Sequence, residues 1–147
     1  MNFPWSSRTV LVTGATGLVG SHLVAGLLAR DARVVALVRD WDPHSDLVRS
    51  GRVHQVAVVQ GCLEDLSAVE RAINELEVDT VFHLGAQAIV GAALRNPLAT
   101  FESNIRGTYH VLEACRRQRE LVRAVVIASS DKAYGDSDQL PYTEQHP

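Results

Sequence analysis

The chain has 147 residues, of which 46% are hydrophobic and 21% are charged, and its formal net charge is −3. This composition predicts one packed globular domain and excludes a disordered chain. The small net charge and the lack of an extended Lys/Arg cluster predict no nucleic-acid partner and no membrane partner. The densest basic patch, Arg116, Arg117 and Arg119, fits a solvated helix C-terminus, where cations suit the helix dipole.

The two cysteines, Cys62 and Cys115, are too few and too far apart for a disulfide framework. Reduced thiols predict a cytoplasmic protein. The N-terminal stretch MNFPWSSR has no apolar region and no cleavage pattern of a signal peptide, and no apolar run approaches membrane-spanning length.

In chain order, the first half alternates short apolar runs with a segment of helical periodicity. We predict strands at Thr9–Thr13, Arg33–Val38 and Val56–Gln60, a helix at Leu18–Arg30 and a loop with at most one helical turn at Trp41–Ser50. The first two strands are continuously apolar, which is typical of strands buried on both faces of a sheet.

The second half repeats this alternation. We predict helices at Leu66–Glu75 and Leu98–Arg117, strands at Thr80–Leu84 and Ala124–Ser129, and a loop from Gly135 to Pro147. The last strand is expected to be a buried, central strand. Short apolar strands separated by helices predict a parallel sheet with right-handed crossovers.

A glycine-rich turn joins the first strand to the first helix. Gly14, Gly17 and Gly20 recur at every third residue between them. We predict that Gly14 permits a tight turn, Gly17 lets the backbone approach a pyrophosphate, and Gly20 lets the helix pack close to the sheet. The helix N-terminus would face the phosphates, so the predicted dinucleotide site also includes Thr16, Leu18 and Val19.

Several motifs, starting with the glycine-rich turn, occur in order and cover nearly the whole chain. TGATGLVGSHLV, HLGAQ (His83–Gln87), NPLATFESNIRGTYHVLEACR and SSDKAYG follow one another. With the spacing GxxGxxG, the chain resembles the extended short-chain dehydrogenase/reductase family, which includes nucleotide-sugar epimerases and dehydratases. The resemblance implies a Rossmann-type doubly wound α/β sheet of strand order 3-2-1-4-5, an NAD or NADP cofactor and a nucleotide-sugar substrate. We assign no metal ligands.

The end of the second strand bears on the choice between NAD and NADP. An acidic residue there holds a ribose hydroxyl, whereas an arginine accepts a 2′-phosphate. Val38 stands where the acid is expected, Arg39 favours NADP, and Asp40 still allows NAD. The cofactor is therefore left as NAD or NADP, with Arg39 and Asp40 as candidate ribose contacts.

Further cofactor contacts follow from the resemblance. Cys62 replaces an aspartate that contacts adenine in the family, which leaves more of that recognition to the Leu63 backbone. Gly85 and Ala86 match a stretch that runs along the nicotinamide ribose. Three more residues are assigned to the same site because they lie in the matching motifs. They are Leu84, Gln87 and, on the predicted helix Leu98–Arg117, Asn104. His83 lies within a strand and is interpreted as a hydrogen-bonded core histidine.

The motif SSDKAYG follows the fifth strand, and chemistry in parallel sheets gathers at the carboxyl ends of strands. The resemblance makes Ser130, four residues before Tyr134, the catalytic hydroxyl that bonds the sugar's 4-oxygen. Asp131 and Lys132 resemble the acid and base of CDP-glucose 4,6-dehydratases, which eliminate water across C5–C6. For this role Asp131 must be partly protonated and Lys132 partly neutral.

The family's Tyr-x-x-x-Lys pair does not occur in this sequence, since Tyr134 is followed four residues later by Asp138 and Tyr142 by His146. We therefore expect the chain to be the N-terminal portion of a longer enzyme, inactive alone and binding cofactor weakly or not at all. A 4-epimerase is the alternative reaction, and a non-catalytic dinucleotide-binding sensor or scaffold is the alternative class.

The helix 98–117 resembles the family's dimerisation helix, which implies a homodimer. Its apolar positions Phe101, Ile105, Thr108, Leu112 and Cys115 are predicted to form one stripe, which would serve an interface or the core of the chain equally well.

Overall fold

A computed structural model describes residues 4–135 and 140–145. Its five strands form one parallel sheet of order β3-β2-β1-β4-β5, as predicted. The strands are β1 (Thr9–Thr13), β2 (Arg33–Val38), β3 (Ala57–Gln60), β4 (Thr80–His83) and β5 (Ala124–Ile127). The last three are shorter than predicted, by one residue in β3 and in β4 and by two residues in β5.

The helices lie between the strands. They are α1 (Leu18–Leu28), α2 (Asp46–Arg49), α3 (Leu66–Asn74), α4 (Val90–Arg95), α5 (Pro97–Phe101) and α6 (Gly107–Arg117). Helix α4 was not predicted, and α2 is the helical turn allowed within the predicted loop. Of the predicted loop 135–147, residues 136–139, 146 and 147 lie outside the described part of the chain.

The core has two halves because successive strand residues point to opposite faces of the sheet. Val10, Val12 and Val34 pack with α1 on one face, and Leu11, Val35 and Val81 pack with α3 and α6 on the other. Strands β1 and β2 are therefore buried on both faces, as their continuous apolar sequence predicts.

The prediction that the fifth strand is central and buried is wrong for the described residues. β5 is an edge strand, and Val125 and Val126 are 37% and 47% exposed. Its apolar sequence is the same as that of a central strand, so periodicity alone does not distinguish the two positions.

The long helix also differs from its prediction. Residues 97–117 are helical throughout, but Glu102–Arg106 forms a π-helical segment between α5 and α6. The predicted single stripe divides: Phe101, Ile105 and Leu112 are exposed, whereas Cys115 is buried. The helix buries small residues instead, since a Cβ on Gly107 would lie 2.7 Å from Leu63 Cβ.

The three arginines at the end of this helix are solvated, as predicted. Arg116 and Arg117 donate hydrogen bonds to Glu113, and Arg117 also reaches Glu70 on α3. In the described part of the chain, no helix has both the length and the apolar character needed to cross a membrane.

Candidate cofactor and catalytic site

The glycine-rich turn starts directly after β1 and packs against the end of β4. Gly14 has a φ of +71°, in the left-handed region that favours glycine. A Cβ at this position would lie 2.8 Å from Gly85 N and from the Leu84 carbonyl carbon. Gly14 is therefore required both by its backbone conformation and by the neighbouring chain.

Gly17 and Gly20 have different surroundings. A Cβ on Gly20 would lie 2.0 Å from the Gly14 carbonyl oxygen, so Gly20 permits contact between α1 and the turn itself. The nearest contact is thus with the turn that follows β1, and the prediction that Gly20 lets the helix pack close to the sheet stays a prediction. A Cβ on Gly17 would meet only the Gly14 oxygen, at 3.2 Å, which leaves its other side open to a ligand.

Helix α1 presents its N-terminus at this edge of the sheet. Gly17 is the N-cap residue, and the first turn contains no acidic side chain. The amides of Leu18, Val19 and Gly20 are the first in the helix and have no carbonyl of a preceding turn to bond. Their N–H groups and the helix dipole favour an anion there. The side chains of Leu18 and Val19 are exposed and lie outside the cleft described next.

A cleft of about 350 Å³ opens at the carboxyl ends of the central strands. Many of the predicted cofactor residues line it, although their contact with a cofactor stays a prediction. These are Gly14, Thr16, Gly17, Arg39, Asp40, Cys62, Leu63, Leu84, Gly85 and Ala86.

Other lining residues were missed by the sequence analysis. They are Thr13, Leu37, Asp42, Gly61, Glu64 and Ser103. Thr13 and Gly61 stand at the ends of β1 and β3, so the rule that ligands bind at strand carboxyl ends could have found them. Ser103 comes from the π-helical segment, whose approach to the cleft has no local sequence signal.

Arg39 and Asp40 form one ion pair at the mouth of the cleft. Arg39 Nε lies 2.6 Å from Asp40 Oδ2, and this hydrogen bond raises the pKa of Arg39. The Arg39 carbonyl accepts a bond from Gln60 Nε2 at 2.8 Å, which ties β2 to β3 at this point. Val38 is buried in the core, which leaves Arg39 and Asp40 as the candidate ribose contacts directly after β2, a role that stays a prediction.

Cys62 and Leu63 follow β3 on the far side of the cleft. Cys62 is a half-buried free thiol. The Leu63 carbonyl accepts a hydrogen bond from His110 Nδ1 at 3.0 Å, which anchors this loop to α6. A Cβ on Gly85 would lie 3.0 Å from Leu63 Cδ1, so a larger residue at position 85 would push into this wall of the cleft.

Asn104 and Gln87 contact each other next to the cleft. Gln87 N donates to Asn104 Oδ1 at 2.7 Å, and Asn104 Nδ2 donates to the Gln87 carbonyl at 3.1 Å. Neither residue lines the cleft. The structure thus shows Asn104 holding the loop after β4, and a direct cofactor contact stays a prediction.

His83 is a hydrogen-bonded core residue, as interpreted from the sequence. It is 3% exposed, and both ring nitrogens have hydroxyl partners. Burial lowers its pKa, so the ring is neutral.

The predicted catalytic residues lie at the carboxyl end of β5, on an exposed 3₁₀ turn. Ser130 Oγ accepts from Lys132 N and donates to Asp131 Oδ1, both at 3.2 Å, and Lys132 Nζ lies 3.5 Å from Asp131 Oδ2. The bond from Ser130 and the charge of Lys132 lower the pKa of Asp131. This is opposite to the direction that the general-acid role needs.

The parallel sheet of order 3-2-1-4-5, the glycine turn and the cleft at the strand ends define a Rossmann domain of the extended short-chain dehydrogenase/reductase type. The family model described as GDP-mannose 4,6 dehydratase matches residues 11–147. The chain therefore belongs to the family that this model describes, within the extended short-chain dehydrogenase/reductases.

Two proteins that are similar to this chain in sequence are epimerases. UDP-glucuronate 4-epimerase 1 of Arabidopsis thaliana is 37% identical over 141 residues, which cover 92% of this chain and 33% of the relative. UDP-glucose 4-epimerase of Neisseria meningitidis serogroup A is 29% identical and is covered over 42% of its length.

Solved structures of epimerases have the same fold as this chain. The UDP-glucose-4-epimerase of Stenotrophomonas maltophila, with bound NAD and formylated UDP-arabinopyranose, aligns with a TM-score of 0.80 and 32% identity over 94% of this chain and 41% of that one. The Thermus thermophilus UDP-glucose 4-epimerase complex with NAD aligns with a TM-score of 0.75 and 34% identity over 94% and 43% of the two chains. The chain thus spans about a third to two-fifths of the length of these relatives.

Proposed function

We propose that the chain is the N-terminal, cofactor-binding part of a longer NAD(P)-dependent nucleotide-sugar 4,6-dehydratase. The observation that carries the proposal is the placement of Ser130, Asp131 and Lys132. They follow β5 at the same edge of the sheet as the cleft that follows β1, β2 and β4. Strand carboxyl ends in such sheets are where ligands and catalytic groups meet.

The cleft fits NAD or NADP. The open side of Gly17 and the first amides of α1 suit a pyrophosphate, and Arg39 with Asp40 would meet the adenosine ribose. The similar epimerase structures contain NAD, and we extend that cofactor class to this chain. When bound, the nicotinamide ring supplies an acceptor and donor of hydride.

The residues after β5 would act on the sugar. Ser130 would bond the 4-oxygen, Asp131 would protonate the departing C6 hydroxyl, and Lys132 would take the C5 proton. Transfer of one proton within the Lys132–Asp131 pair supplies both required forms together. Burial beneath a bound sugar favours this neutral pair, because desolvation disfavours both charges.

The test uses the protein extended beyond Pro147, where a Tyr-x-x-x-Lys pair is expected. With NAD(P) and a nucleotide sugar, mass spectrometry should show a product that has lost one water. Asp131→Asn and Lys132→Met should lower elimination by at least about a hundredfold while C4 oxidation continues, since general acid–base groups contribute that much. Ser130→Ala should slow C4 oxidation itself, because it removes the hydroxyl that would bond the 4-oxygen. Ser130→Thr keeps the hydroxyl and is its matched control.

Elimination that persists in both variants would refute the assigned roles. A 4-epimerase is the second candidate, favoured by the relatives named above. An epimerised product that retains its water identifies that reaction. Cofactor binding without turnover of any nucleotide sugar identifies the third alternative, a non-catalytic sensor or scaffold.

We also propose a homodimer through residues 98–117. Phe101 and Ile105 are each 58% exposed, and Leu98, Tyr109 and Leu112 extend the same exposed apolar face along the helix. Large apolar side chains in such a row are typical of a protein interface. A second copy of the helix has the length to cover it, and light scattering of the extended protein measures the result.

A further inference from the structure

A chain of hydrogen bonds runs behind the cleft, from β1 through β4 to the π-helical segment. His83 is its centre. His83 Nδ1 lies 2.7 Å from Thr13 Oγ1, and Nε2 lies 3.1 Å from Thr108 Oγ1. None of these three residues has a role in the function proposed above, although Thr13 lines the cleft.

The direction of the bonds follows from counting hydrogens. The Thr108 hydroxyl donates to the Asn104 carbonyl at 2.6 Å. A hydroxyl has one hydrogen, so Thr108 Oγ1 can only accept from His83. Nε2 therefore carries the hydrogen of the neutral ring, and Nδ1 is left as an acceptor.

Counting hydrogens also fixes the direction of the bond at Nδ1 of His83. Thr13 must donate its hydroxyl hydrogen to Nδ1, which leaves both lone pairs of Oγ1 free to accept. They accept from Leu84 N at 3.2 Å and Gly85 N at 3.1 Å. Leu84 N also lies 3.3 Å from the Thr13 carbonyl, so the amide of Gly85 depends more on the hydroxyl than that of Leu84.

The network needs a neutral ring. A protonated Nδ1 would direct a hydrogen at Thr13 Oγ1, which already accepts two N–H groups. The hydrogen-bonding partners of the ring are hydroxyls, and its pKa is lowered by burial. Neither hydroxyl carries a charge that would stabilise an imidazolium ion.

The far end of the network returns to the same loop. Asn104 accepts the Thr108 hydroxyl on its backbone and holds Gln87 N and O with its side chain. The segment 84–87 is thus held at its start by Thr13 and at its end by Asn104. Leu84, Gly85 and Ala86 form part of the cleft wall between these points.

We propose that His83, as the neutral Nε2–H tautomer, is a positioning residue that orients the Thr13 hydroxyl and thereby fixes the backbone of the cofactor-facing segment 84–86. Its effect on the cofactor rests on the proposed function. Its effect on the backbone does not, so two kinds of measurement separate them.

The first measurement is NMR of the 147-residue chain itself. The ¹⁵N shifts of His83 should show a protonated Nε2 and an unprotonated Nδ1 at neutral pH. In His83→Leu the Gly85 amide loses the oriented acceptor, and its hydrogen exchange should accelerate about tenfold, as expected for one weakened buried bond. His83→Asn can place an oxygen opposite Thr13 and should restore most of the protection.

Thr108→Val tests the other end with a nearly isosteric change and serves if His83→Leu does not fold. It should abolish the single tautomer, because the Nε2 hydrogen loses its acceptor. A ring that is protonated on Nδ1 in the unmodified chain, or unchanged Gly85 exchange in a folded His83→Leu, overturns the proposal.

The second measurement is cofactor affinity of the extended protein. His83→Leu should raise the KM for NAD(P) about tenfold and leave the KM for the sugar unchanged, whereas His83→Asn should stay closer to the unmodified protein. Equal cofactor affinity in His83→Leu and the unmodified protein overturns the inference. Failure of the unmodified protein to bind NAD(P) refutes the proposed function. In that case the NMR measurement on its own tests whether His83 fixes the backbone of residues 84–86.

Discussion

Replacement of Gly20 by alanine should destabilise the chain despite the better helix propensity of alanine. The new Cβ would lie 2.0 Å from the Gly14 carbonyl oxygen and 2.8 Å from its carbon, whereas ordinary contact starts at 3.4 Å. The turn and α1 would have to separate by more than about 1 Å, but Gly14 is itself in contact with the backbone of residues 84 and 85.

The magnitude follows from two opposing terms. Alanine gains about 1 kcal/mol over glycine within a helix, while overpacking against backbone costs roughly 1–3 kcal/mol and more where nothing can move. The difference is about 0–2 kcal/mol, and Gly20→Ala should lower the free energy of unfolding by an amount near the upper end, about 2 kcal/mol, because the new contact is with backbone that cannot move freely. Gly26→Ala is the matched control in the same helix, because its Cβ would meet only the Arg30 side chain, at 3.6 Å.

Urea unfolding followed by far-ultraviolet circular dichroism measures both variants. Gly26→Ala should gain up to about 1 kcal/mol, opposite in sign to Gly20→Ala. Equal stabilisation of the two variants, with unchanged m values, would refute the argument that the turn and the helix meet through Gly20.

Two further predictions concern the helix 97–117. Hydrogen bonds from Arg116 and Arg117 lower the pKa of Glu113 from 4.5 to about 2. The contribution of the ionised Glu113 to folding stability is present above pH 4.5 and is lost as the pH falls toward 2. Glu113→Gln should therefore flatten the pH dependence of thermal unfolding between these values. A pH profile identical to that of the unmodified chain contradicts this prediction. In the extended protein, Ile105→Glu should yield monomers in light scattering, whereas Arg119→Glu, beyond the apolar face, should not; a dimer that survives Ile105→Glu removes that face from the interface.

Local signals predicted most of the elements that position the site. Gly17 and Gly20 act over a few residues, because a Cβ at either position would meet the turn itself, whereas Gly14 also relieves contact with the distant residues Leu84 and Gly85. The apolar runs of β1 and β2 predict burial correctly, since both faces of these strands are covered. The strand-end rule, together with the family resemblance that assigned Cys62 and Gly85, places Arg39, Cys62 and Gly85 at one cleft, and all three line it.

Other features depend on distant contacts and have no local signal. β5 has the sequence of a buried strand, but its burial depends on what pairs beyond it. The predicted stripe on the helix 97–117 divides within α6, where Leu112 is exposed and Cys115 is buried against the sheet and α3. The protonation state of Asp131 depends on the groups around it, and in this structure it is exposed and its pKa is lowered by Ser130 and Lys132.

The amino-acid sequence predicts the class of fold, the glycine-rich turn and the residues at the strand ends, because these follow from propensities and spacings within about 20 residues. Only the tertiary structure decided that His83 joins Thr13 to Thr108, residues that are 95 positions apart in the chain, and that Asn104 holds Gln87. Hydrogen bonds between side chains require the packed sheet and helix to bring them within about 3 Å, a condition that no pattern along the chain encodes.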